Sequence, residues 1–369
     1  MENHCHTIII GGGIGGSAAA LRAAQNGMSA FWFTGSKHTR KRSRSQWVMN
    51  LDNIVGFHED IIKTQVIKTL KKNKQDEAIT LLENEHYHIN NRMLIQNTVQ
   101  RIERGFPNVT IMEGEVSQLE KTEIGFSIQL DDKLSEGKAV ILSTGVMDEQ
   151  PHILKQNKKG DWEETPKWLY PFANREQALY CIRCEGHLTT EESVAVIGHS
   201  NMAAELAMML YERYGNKVHI LANGETSTIS DDRMKILKKY NIDIISGPIT
   251  GLVSEGAKQL HGFEFESLEN IVVKFALVSL GLHRVYNDLA RQVGARLMDE
   301  DQPEEKRHVW INHKGETSVH GLFAVGDMTK REDEPIMKQV YTAQEYAVRA
   351  VDTVDSRRRK ALRASFVSY

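Results

Sequence analysis

The stretch TIIIGGGIGG, residues 7–16, decides the fold of this 369-residue chain. Its first four residues form an apolar, β-branched run that is typical of a buried parallel strand, and a helix-forming stretch follows it. The turn between them matches the pattern G-x-G-x-x-G, whose glycines are Gly11, Gly13 and Gly16. These glycines make the bend, admit a pyrophosphate and let helix and strand pack closely. The stretch therefore predicts a dinucleotide-binding βαβ unit whose diphosphate meets the helix N-terminus.

A second stretch, CIRC at residues 181–184, carries reactive groups. Cys-x-x-Cys is the shortest spacing at which two thiols close a disulfide while one stays reachable as a nucleophile. Half of a zinc site is the alternative, and it needs a second Cys/His pair, for which Cys5 with His4 and His6 is the one candidate. We predict a redox-active pair, Cys181 and Cys184, and no metal site.

Two further features favour FAD over NAD as the first cofactor. The second predicted strand, residues 29–33, ends in Thr34 without the Asp or Glu that an NAD site usually offers to the ribose. Much later, the apolar run from Gly321 leads into Gly326 and Asp327. This second Gly-Asp signature separates FAD enzymes from simple NAD dehydrogenases.

The chain resembles the low-molecular-weight thioredoxin reductase family of FAD-dependent disulfide oxidoreductases. The landmarks follow the family's order over most of the chain: 11–16, 53–56, 143–145, 181–186, 194–203 and 321–327. The resemblance implies an α/β fold with two Rossmann-like three-layer domains, the nucleotide domain being inserted into the FAD domain. Residues 1–148 and 281–369 would form the FAD-binding domain. Residues 175–280 would form the central NAD(P)-binding-like domain that carries the Cys-x-x-Cys pair.

The resemblance also implies site residues. Those expected to bind FAD are Gly11, Gly13, Gly16, Thr34, Asn53, Thr144, Gly145, Gly326, Asp327 and Gln339. Cys184 would lie against the flavin, and Cys181 would exchange with the disulfide of a partner. Glu185 stands where the family usually has Asp, and it is the candidate proton donor to the leaving thiolate.

The central glycine turn departs from the family pattern. Its expected contact residues are Gly198, Ser200 and Ala203, and Ser200 replaces the glycine that lets a pyrophosphate approach. The following strand and the loop after it have no Arg or Lys between Lys217 and Arg233. NADPH-using relatives place arginines for the 2'-phosphate in this region. The sequence therefore disfavours NADPH. Three outcomes stay open: NADH with Glu225 near the ribose, a different or absent nucleotide, or weak NADPH use.

The same departure makes the chain similar to dithiol oxidases of the gliotoxin type. The shared features are Val-Ile-Gly-His-Ser at residues 196–200, the Asn-Gly at residues 223–224 after the following strand, and the Arg-x-Arg-Ser element of Arg40, Arg42 and Ser43. Other reductase-like flavoproteins take electrons from ferredoxin or another donor. The expected activity is thiol–disulfide exchange with weak or absent NADPH use, and a small-molecule dithiol oxidase using oxygen or a ferredoxin-dependent reductase are the alternatives. A non-enzymatic flavoprotein scaffold has no need of two thiols at this spacing.

Composition bounds the partners. A net charge of -3 with 26% charged residues gives no bulk affinity for nucleic acid, and the longest apolar runs fall far short of a membrane span. We expect a cytoplasmic homodimer that acts on a thioredoxin-like protein or a small-molecule disulfide or dithiol. Two segments are additional to the core of the family: residues 60–85, which have a helical period, and residues 148–178, which form an aromatic and charged loop. Each is either a peripheral element or a surface that contacts a partner or substrate beside Cys181.

Overall fold

The structure is a computed structural model that describes residues 4–40, 43–49, 51, 53–55, 67–75, 79, 90–130, 133–157 and 159–367. The chain divides into two compact units. Unit 1 contains residues 1–46, 54–147 and 284–369, and unit 2 contains residues 47–53 and 148–283. Each unit has its own main sheet, whose central strands run parallel.

The elements below are those of the described residues. The strands are β1 (His4–Ile10), β2 (Ala30–Phe33), β3 (Val109–Met112), β4 (Gln118–Lys121), β5 (Phe126–Leu130), β6 (Lys133–Leu142), β7 (Val146–Asp148), β8 (Ile153–Gln156), β9 (Trp162–Thr165), β10 (Ala178–Leu179), β11 (Ser193–Ile197), β12 (Lys217–Leu221), β13 (Asp243–Ile245), β14 (Ile249–Glu255), β15 (Gln259–Phe265), β16 (Ile271–Val272), β17 (Phe275–Val278), β18 (Leu282–Val285), β19 (Val309–Trp310), β20 (Leu322–Ala324) and β21 (Thr329–Lys330). The α-helices are α1 (Ile14–Gln25), α2 (Lys37–Arg40), α3 (Asn91–Gly105), α4 (Tyr170–Ala173), α5 (Ile182–Glu185), α6 (Asn201–Tyr214), α7 (Asp231–Lys239), α8 (Asp288–Gln292) and α9 (Val340–Val367).

Unit 1 is built on a seven-stranded sheet. Strands β3, β2, β1 and β6 are neighbours in that order and run parallel, β20 pairs parallel with β6, and β5 and β4 extend the sheet antiparallel. Ile8 and Ile9 of β1 are fully buried, which explains the apolar run of the opening stretch. Helix α1 packs against α9, and Arg22 holds Asp352 there through two hydrogen bonds of 2.7 and 2.9 Å. The parallel strands bring their carboxyl ends to one edge, where ligands bind in such sheets.

Unit 2 repeats the parallel design with the strand order β10, β17, β11, β12 and β13. Its core is made by residues of β11, α6 and their neighbours, among them Val194, Val196, Ala203, Ala204, Ala207 and Ile220. A three-stranded antiparallel sheet, β14 to β16, and the hairpin of β8 and β9 complete the unit. Among the described helices, none has both the length and the apolar character needed to cross a bilayer.

The compact units differ in two stretches from the domains expected from the sequence. Residues 47–53 were expected in the FAD-binding domain with the rest of 1–148, but they group with unit 2. Residues 148–174, which lie before the expected start of the central domain at 175, also group with unit 2. The chain returns to unit 1 at Arg284, close to Gly281, whose φ of +86° suits the turn before β18.

The two stretches beyond the family core have different outcomes. Of residues 60–85, only 67–75 and 79 are described, and 67–72 are helical; Ile61, Ile62 and Val66 lie outside the described residues. Residues 148–178 were expected to be a loop, which is wrong, since they form β8, β9 and α4. The physical reason is their own core: Ile153 and Leu169 are fully buried and Phe172 is 2% exposed.

Candidate functional site

Cys181 and Cys184 form a disulfide in unit 2, with their Cα atoms 5.3 Å apart. Cys181 precedes the first turn of α5 in an extended conformation, and Cys184 lies within that turn. Both residues are buried, at 9% and 7% exposure. A bonded pair has no thiolate to offer a metal ion. The structure therefore shows the pair as a closed disulfide.

Cys5, the remaining cysteine, is part of the unit 1 sheet. Its thiol donates a hydrogen bond to the carbonyl of Thr7 at 3.2 Å. Burial raises the pKa of Cys5 to about 12, so the thiol stays protonated at neutral pH. Among the described residues, no cluster of His, Cys, Asp and Glu side chains has the arrangement of a metal site.

Glu185 is almost fully buried, at 1% exposure, beside the disulfide. Its Oε2 accepts hydrogen bonds from the backbone N–H groups of Tyr180 at 3.2 Å and Cys181 at 3.3 Å. The carboxylate therefore holds the backbone that leads into Cys181.

Aromatic side chains pack beside Cys181 within unit 2. The ring centroid of Trp47 lies 4.4 Å from that of Tyr170 and 6.2 Å from that of Tyr180. The Tyr180 hydroxyl donates to Oε1 of Gln150 at 2.7 Å, and burial raises the Tyr180 pKa above its usual range. The sequence singled out Tyr170 but missed Trp47, because nothing in the local pattern links residue 47 to residue 170.

The glycine turn of unit 1 has the shape that a diphosphate needs. A Cβ atom on Gly11 would lie 2.0 Å from the Ser143 carbonyl oxygen, and one on Gly16 would lie 1.9 Å from the Gly11 carbonyl oxygen. These positions admit only glycine. A Cβ on Gly13 would meet nothing within 4 Å, so this backbone is open on the side where a ligand would approach. The turn fits the diphosphate of a dinucleotide at the start of α1.

The other residues expected to bind FAD follow strands of the same sheet. Thr34 follows β2, and its N–H and hydroxyl both donate to the Met112 carbonyl, at 3.0 and 3.4 Å. Thr144 follows β6, and its hydroxyl donates to the Tyr286 carbonyl at 2.5 Å. Both hydroxyls thus hold neighbouring segments, and Gly145, with a φ of +74°, makes the turn after Thr144.

Asp327 and Gln339 are placed by the last segments of unit 1. Gly326, with a φ of +78°, follows β20, and a Cβ on it would lie 3.9 Å from the Cβ of Ala343 in the first turn of α9. Gln339 immediately precedes α9, is 5% exposed and donates from Nε2 to the Lys338 carbonyl at 2.8 Å. The carboxyl edge thus brings the Gly-Asp pair and the start of α9 together.

Arg44, a charged neighbour of Asp327, belongs to the basic run 37–44, for which the sequence left open a contact with FAD phosphates, a contact with the redox partner, or a solvated surface. Its guanidinium lies 3.7 Å from Oδ2 of Asp327. The sequence could not identify this contact, because a basic run such as residues 37–44 is equally typical of a solvated surface. Lys41 and Arg42 of that run lie outside the described residues. Asn53 groups with unit 2, whereas the other residues expected to bind FAD are in unit 1. Gly56, of the same motif as Asn53, lies outside the described residues.

The second glycine turn joins β11 to α6. A Cβ on Gly198 would lie 2.5 Å from the Ser279 carbonyl oxygen and 2.9 Å from the Cβ of Ala203, so these two small residues let helix and sheet pack closely. Ser200 is the N-cap residue of α6, with φ −106° and ψ 170°, but its side chain makes no capping hydrogen bond. The βαβ geometry is retained, and a hydroxymethyl group stands where the first turn has the open Gly13.

The loop after β12, residues 222–230, bonds to the start of α6. The N–H of Thr228 donates to the His199 carbonyl at 2.8 Å, and the N–H of Ser230 donates to Oδ1 of Asn201 at 2.8 Å. Polar groups at this edge, which a nucleotide could have used, are therefore engaged by the chain itself.

Arg233, the first basic residue after Lys217, is also engaged. Its Nε donates to Oε1 of Glu205 at 2.7 Å, and one terminal nitrogen lies 3.2 Å from the Ser230 hydroxyl. The Glu205 carboxylate therefore competes with a 2'-phosphate for this guanidinium.

The pyridine nucleotide-disulphide oxidoreductase family matches residues 5–347, a range that includes both glycine turns and the Cys181–Cys184 disulfide. The chain belongs to this family. The resemblance inferred from the sequence is thereby confirmed at the level of the family.

Curated relatives match parts of longer proteins. The F subunit of alkyl hydroperoxide reductase in Staphylococcus epidermidis is 25% identical over 244 residues, which cover 64% of this chain and 44% of the relative. Its counterpart in Pseudomonas aeruginosa is 24% identical over 330 residues, which cover 87% of this chain and 53% of the relative. The chain thus spans about half the length of the curated relatives it matches.

Solved structures agree over nearly the whole chain. Thioredoxin reductase from Streptococcus pyogenes has a TM-score of 0.71 at 16% identity and covers 96% of this chain and 98% of its own. HlmI has a TM-score of 0.71 at 19% identity and covers 100% of this chain and 96% of its own. At these identities the likeness concerns the fold alone, and it confirms the predicted α/β, two-domain Rossmann-type fold.

Proposed function

We propose that the chain is an FAD-dependent thiol–disulfide oxidoreductase that exchanges electrons between FAD and a partner disulfide or dithiol through Cys181 and Cys184. The observation that carries the proposal is the disulfide itself, formed at Cys-x-x-Cys spacing in a chain whose first glycine turn fits a dinucleotide. When bound, FAD would act as the two-electron carrier. The matched family, the pyridine nucleotide-disulphide oxidoreductases, supports this class of chemistry.

In this proposal unit 1 holds FAD at the carboxyl edge of its sheet. Gly11, Gly13 and Gly16 admit the diphosphate at the N-terminus of α1, whose dipole favours negative charge. Asp327, with Arg44 beside it, would accept hydrogen bonds from the ribityl chain, and Gln339 would orient the ring. The remaining contacts expected from the sequence are Thr34, Asn53, Thr144, Gly145 and Gly326.

The two thiols have separate roles. The Cys181 thiolate attacks the partner disulfide, which forms a mixed disulfide and releases one partner thiolate. The Cys184 thiolate then attacks the Cys181 sulfur, which restores the Cys181–Cys184 disulfide and releases the second thiolate. Glu185, buried beside Cys181, takes the proton that the attacking thiol loses and passes it to the leaving thiolate. Reduced FAD, when bound, would supply the two electrons that regenerate the dithiol, and in the oxidase direction each step runs in reverse.

NADPH is a poor reductant in this proposal. Ser200 occupies the position that Gly13 leaves open in the first turn, and Arg233 is paired with Glu205. Reduced ferredoxin or another donor, or a dithiol in the oxidase direction, would supply the electrons instead. The partner is a thioredoxin-like protein or a small-molecule disulfide; thioredoxin reductase and alkyl hydroperoxide reductase are the relatives whose names point to such chemistry.

A reductive titration of the purified protein tests the proposal. We expect yellow protein that takes up two electrons beyond those of FAD under dithionite, and a Cys181→Ser/Cys184→Ser double variant that takes up only those of FAD. Stopped-flow mixing with NADPH, NADH and reduced ferredoxin then identifies the donor. Protein without bound flavin, or equal uptake by the wild type and the double variant, would contradict the proposal.

A further inference from the structure

The last turns of α9 carry an exposed apolar pair. Ala350 and Val354 are buried in unit 1, and the same four-residue interval leads on through Arg358 to Leu362 and Phe366. Leu362 is 55% exposed and Phe366 is 74% exposed. The row of side chains that packs α9 onto unit 1 therefore continues where the described residues offer it nothing to pack against. These turns also lie beyond residue 347, where the match to the family ends.

The first basic residues of this part of α9 are held by carboxylates of unit 1. Arg357 donates two hydrogen bonds to the Glu316 carboxylate, at 2.5 and 2.7 Å. Arg358 and Arg359 pair with Asp355, at 3.1 and 2.8 Å. The helix is thus fixed to unit 1 up to about residue 359, and every residue from 359 to 367 is exposed.

Two further basic residues accompany the exposed apolar pair. Lys360 and Arg363 form no ion pair within the part of the chain that the structure describes. Residues 356–367 contain no Asp or Glu that could neutralise them. Because Lys360 and Arg363 lie three positions apart, they share a side of the helix that adjoins the side of Leu362 and Phe366. The segment is therefore an amphipathic helix end with a cationic side and an apolar side.

The position of this segment along α9 argues against a direct role in the redox chemistry. The first turn of α9 packs against Gly326, where the Cβ of Ala343 lies 3.9 Å from a Cβ built on that glycine. With a rise of 1.5 Å per residue, Leu362 lies about 30 Å further along the helix. An occupant of the exposed segment is thus too far from the carboxyl edge of the unit 1 sheet to contact a cofactor held there.

The charge and the size of the segment select the occupant. Pairing with the same segment of a second copy would bring Lys360 and Arg363 against their counterparts, which is unfavourable. A protein groove that receives a helix reads apolar anchors over several turns, whereas this segment offers only Leu362 and Phe366 on one side. An anionic bilayer surface needs no matching shape, attracts both basic residues and accepts both apolar side chains.

We propose that residues 359–367 bind the surface of an anionic membrane, with Leu362 and Phe366 inserted between the lipids and Lys360 and Arg363 at the headgroup phosphates. Such a contact lies in the membrane interface and needs no spanning helix. It goes beyond the proposed redox function, because neither FAD nor the disulfide takes part in it. Its effect is to hold the protein at a membrane, with α9 as the connection to unit 1.

Cosedimentation of the full chain with vesicles tests this inference. Vesicles of phosphatidylcholine mixed with phosphatidylserine should bind the wild type about tenfold or more tightly than vesicles of phosphatidylcholine alone, and high salt should weaken this binding. Lys360→Ser/Arg363→Ser should lower the affinity for the mixed vesicles by about tenfold or more, since each basic residue near an anionic surface contributes about fivefold. Leu362→Ser/Phe366→Ser should lower it by about tenfold or more, through the loss of apolar burial.

Two matched variants control for general effects of polarity and charge. Ile124→Ser/Leu134→Ser removes another apolar pair of unit 1, whose side chains are 70% and 54% exposed. Arg104→Ser/Lys121→Ser removes two other exposed basic residues of unit 1. Both control proteins should bind the mixed vesicles with wild-type affinity.

Three outcomes would overturn the inference. The first is wild-type protein that stays in the supernatant with both kinds of vesicle. The second is Leu362→Ser/Phe366→Ser protein that binds as tightly as Ile124→Ser/Leu134→Ser, because charge alone would then explain the binding. The third comes from sedimentation velocity without vesicles, where a smaller species in Leu362→Ser/Phe366→Ser than in the wild type would show that a second copy covers this pair. None of these outcomes bears on the proposed redox function, which the reductive titration tests separately.

Discussion

Gly13 and Gly16 lie in one turn, but a side chain at Gly13 should affect cofactor binding, whereas one at Gly16 should affect stability. Gly13→Val places its side chain in open space, so we expect folded protein that has lost at least 90% of its flavin, because the valine occupies the diphosphate position. Gly16→Ala drives a methyl group into the Gly11 carbonyl and should cost about 1–3 kcal/mol of stability or prevent folding. Absorbance at the flavin band and thermal unfolding measure the two effects. Yellow Gly13→Val protein would show that this turn does not hold the cofactor.

The two cysteines are equally buried, so single substitutions are needed to separate their roles. Cys184→Ser should abolish disulfide turnover. Cys181→Ser should leave Cys184 as a thiolate that donates charge to oxidised FAD. This charge-transfer interaction gives an absorption band at long wavelength. The absorption spectrum between pH 6 and 9 is the measurement. If flavin-replete Cys181→Ser protein lacks this band and Cys184→Ser protein has it, the two roles are reversed.

Glu185 has two separable roles, because it accepts two backbone hydrogen bonds and is also the proposed proton donor. Glu185→Gln keeps an acceptor oxygen and should leave stability unchanged while slowing disulfide exchange by about 10²-fold, the loss typical of a removed general acid. Glu185→Ala should slow exchange similarly and also cost about 1–3 kcal/mol, since two buried N–H groups lose their acceptor. Denaturant unfolding and single-turnover exchange rates distinguish the two. Wild-type rates in Glu185→Gln would leave Glu185 a purely structural residue.

At the scale of elements, the two βαβ units differ in what surrounds their glycine turns. The turn before α1 is open at Gly13, whereas the start of α6 is engaged by the loop after β12. A 2'-phosphate without a basic partner lacks charge-assisted hydrogen bonds worth about 1.5–3 kcal/mol each, which corresponds to about tenfold or more in affinity per contact. The steric effect of Ser200 applies to NADH as well.

We therefore expect flavin reduction by NADPH to be slow or undetectable, with NADH no worse than NADPH. Ser200→Gly should improve both nucleotides, and Glu205→Gln, which frees Arg233, should improve NADPH alone. Stopped-flow flavin bleaching over a range of nucleotide concentrations gives the comparison. Rapid reduction of the wild type by micromolar NADPH would make this interpretation of the second turn wrong.

The sequence predicted the elements whose causes are local. The β1 run, the glycine turn and α1 follow from residues 7–25 alone, and the family order extended that to the whole fold. What it missed depends on residues far apart in the chain, such as the contact of Trp47 with Tyr170 or of Arg44 with Asp327. The grouping of residues 47–53 with residues 148–283 in unit 2 also could not be predicted, because no periodic pattern in the sequence indicates it.

Some residues used as functional markers prove to be held by structural contacts. Asn223, part of the Asn-Gly that follows β12, has a φ of +53°, a conformation that Asn tolerates better than most residues. Its side chain donates to the His152 carbonyl and accepts from the Ile249 N–H, each at 2.8 Å. A turn requirement therefore explains this Asn without reference to a nucleotide. Sequence alone could not separate the two causes, because the partners of Asn223 lie 71 residues before it and 26 residues after it.

For the whole molecule, histidines with lowered pKa values make the stability depend on pH between neutral and mildly acidic values. The pKa of His308 is about 4 in the folded protein, whereas an unfolded histidine titrates near 6.5. Between these values the unfolded chain binds a proton that the folded chain excludes, so stability is fully present above pH 6.5 and falls as the pH is lowered towards 4. The difference corresponds to about 3 kcal/mol. His6 and His219 add to the same trend, because burial lowers the pKa of each.

His308→Gln should flatten this dependence, since the amide can still accept from Lys338 and donate to Asp299, the two side chains at the ring nitrogens of His308, but does not titrate. We expect the loss of unfolding free energy between pH 7 and pH 4.5, measured by denaturant unfolding, to be smaller by about 2 kcal/mol in His308→Gln than in the wild type. His313→Gln, at an exposed position in unit 1, should keep the wild-type slope. The carboxylates Asp299, Glu316 and Asp352 contribute little to the difference, because partners lower their pKa values, so their stabilisation is lost as the pH falls through and below the unfolded values of 3.8 to 4.5. An equal slope in His308→Gln and the wild type would mean that the folded protein accepts a proton on His308 as readily as the unfolded chain does.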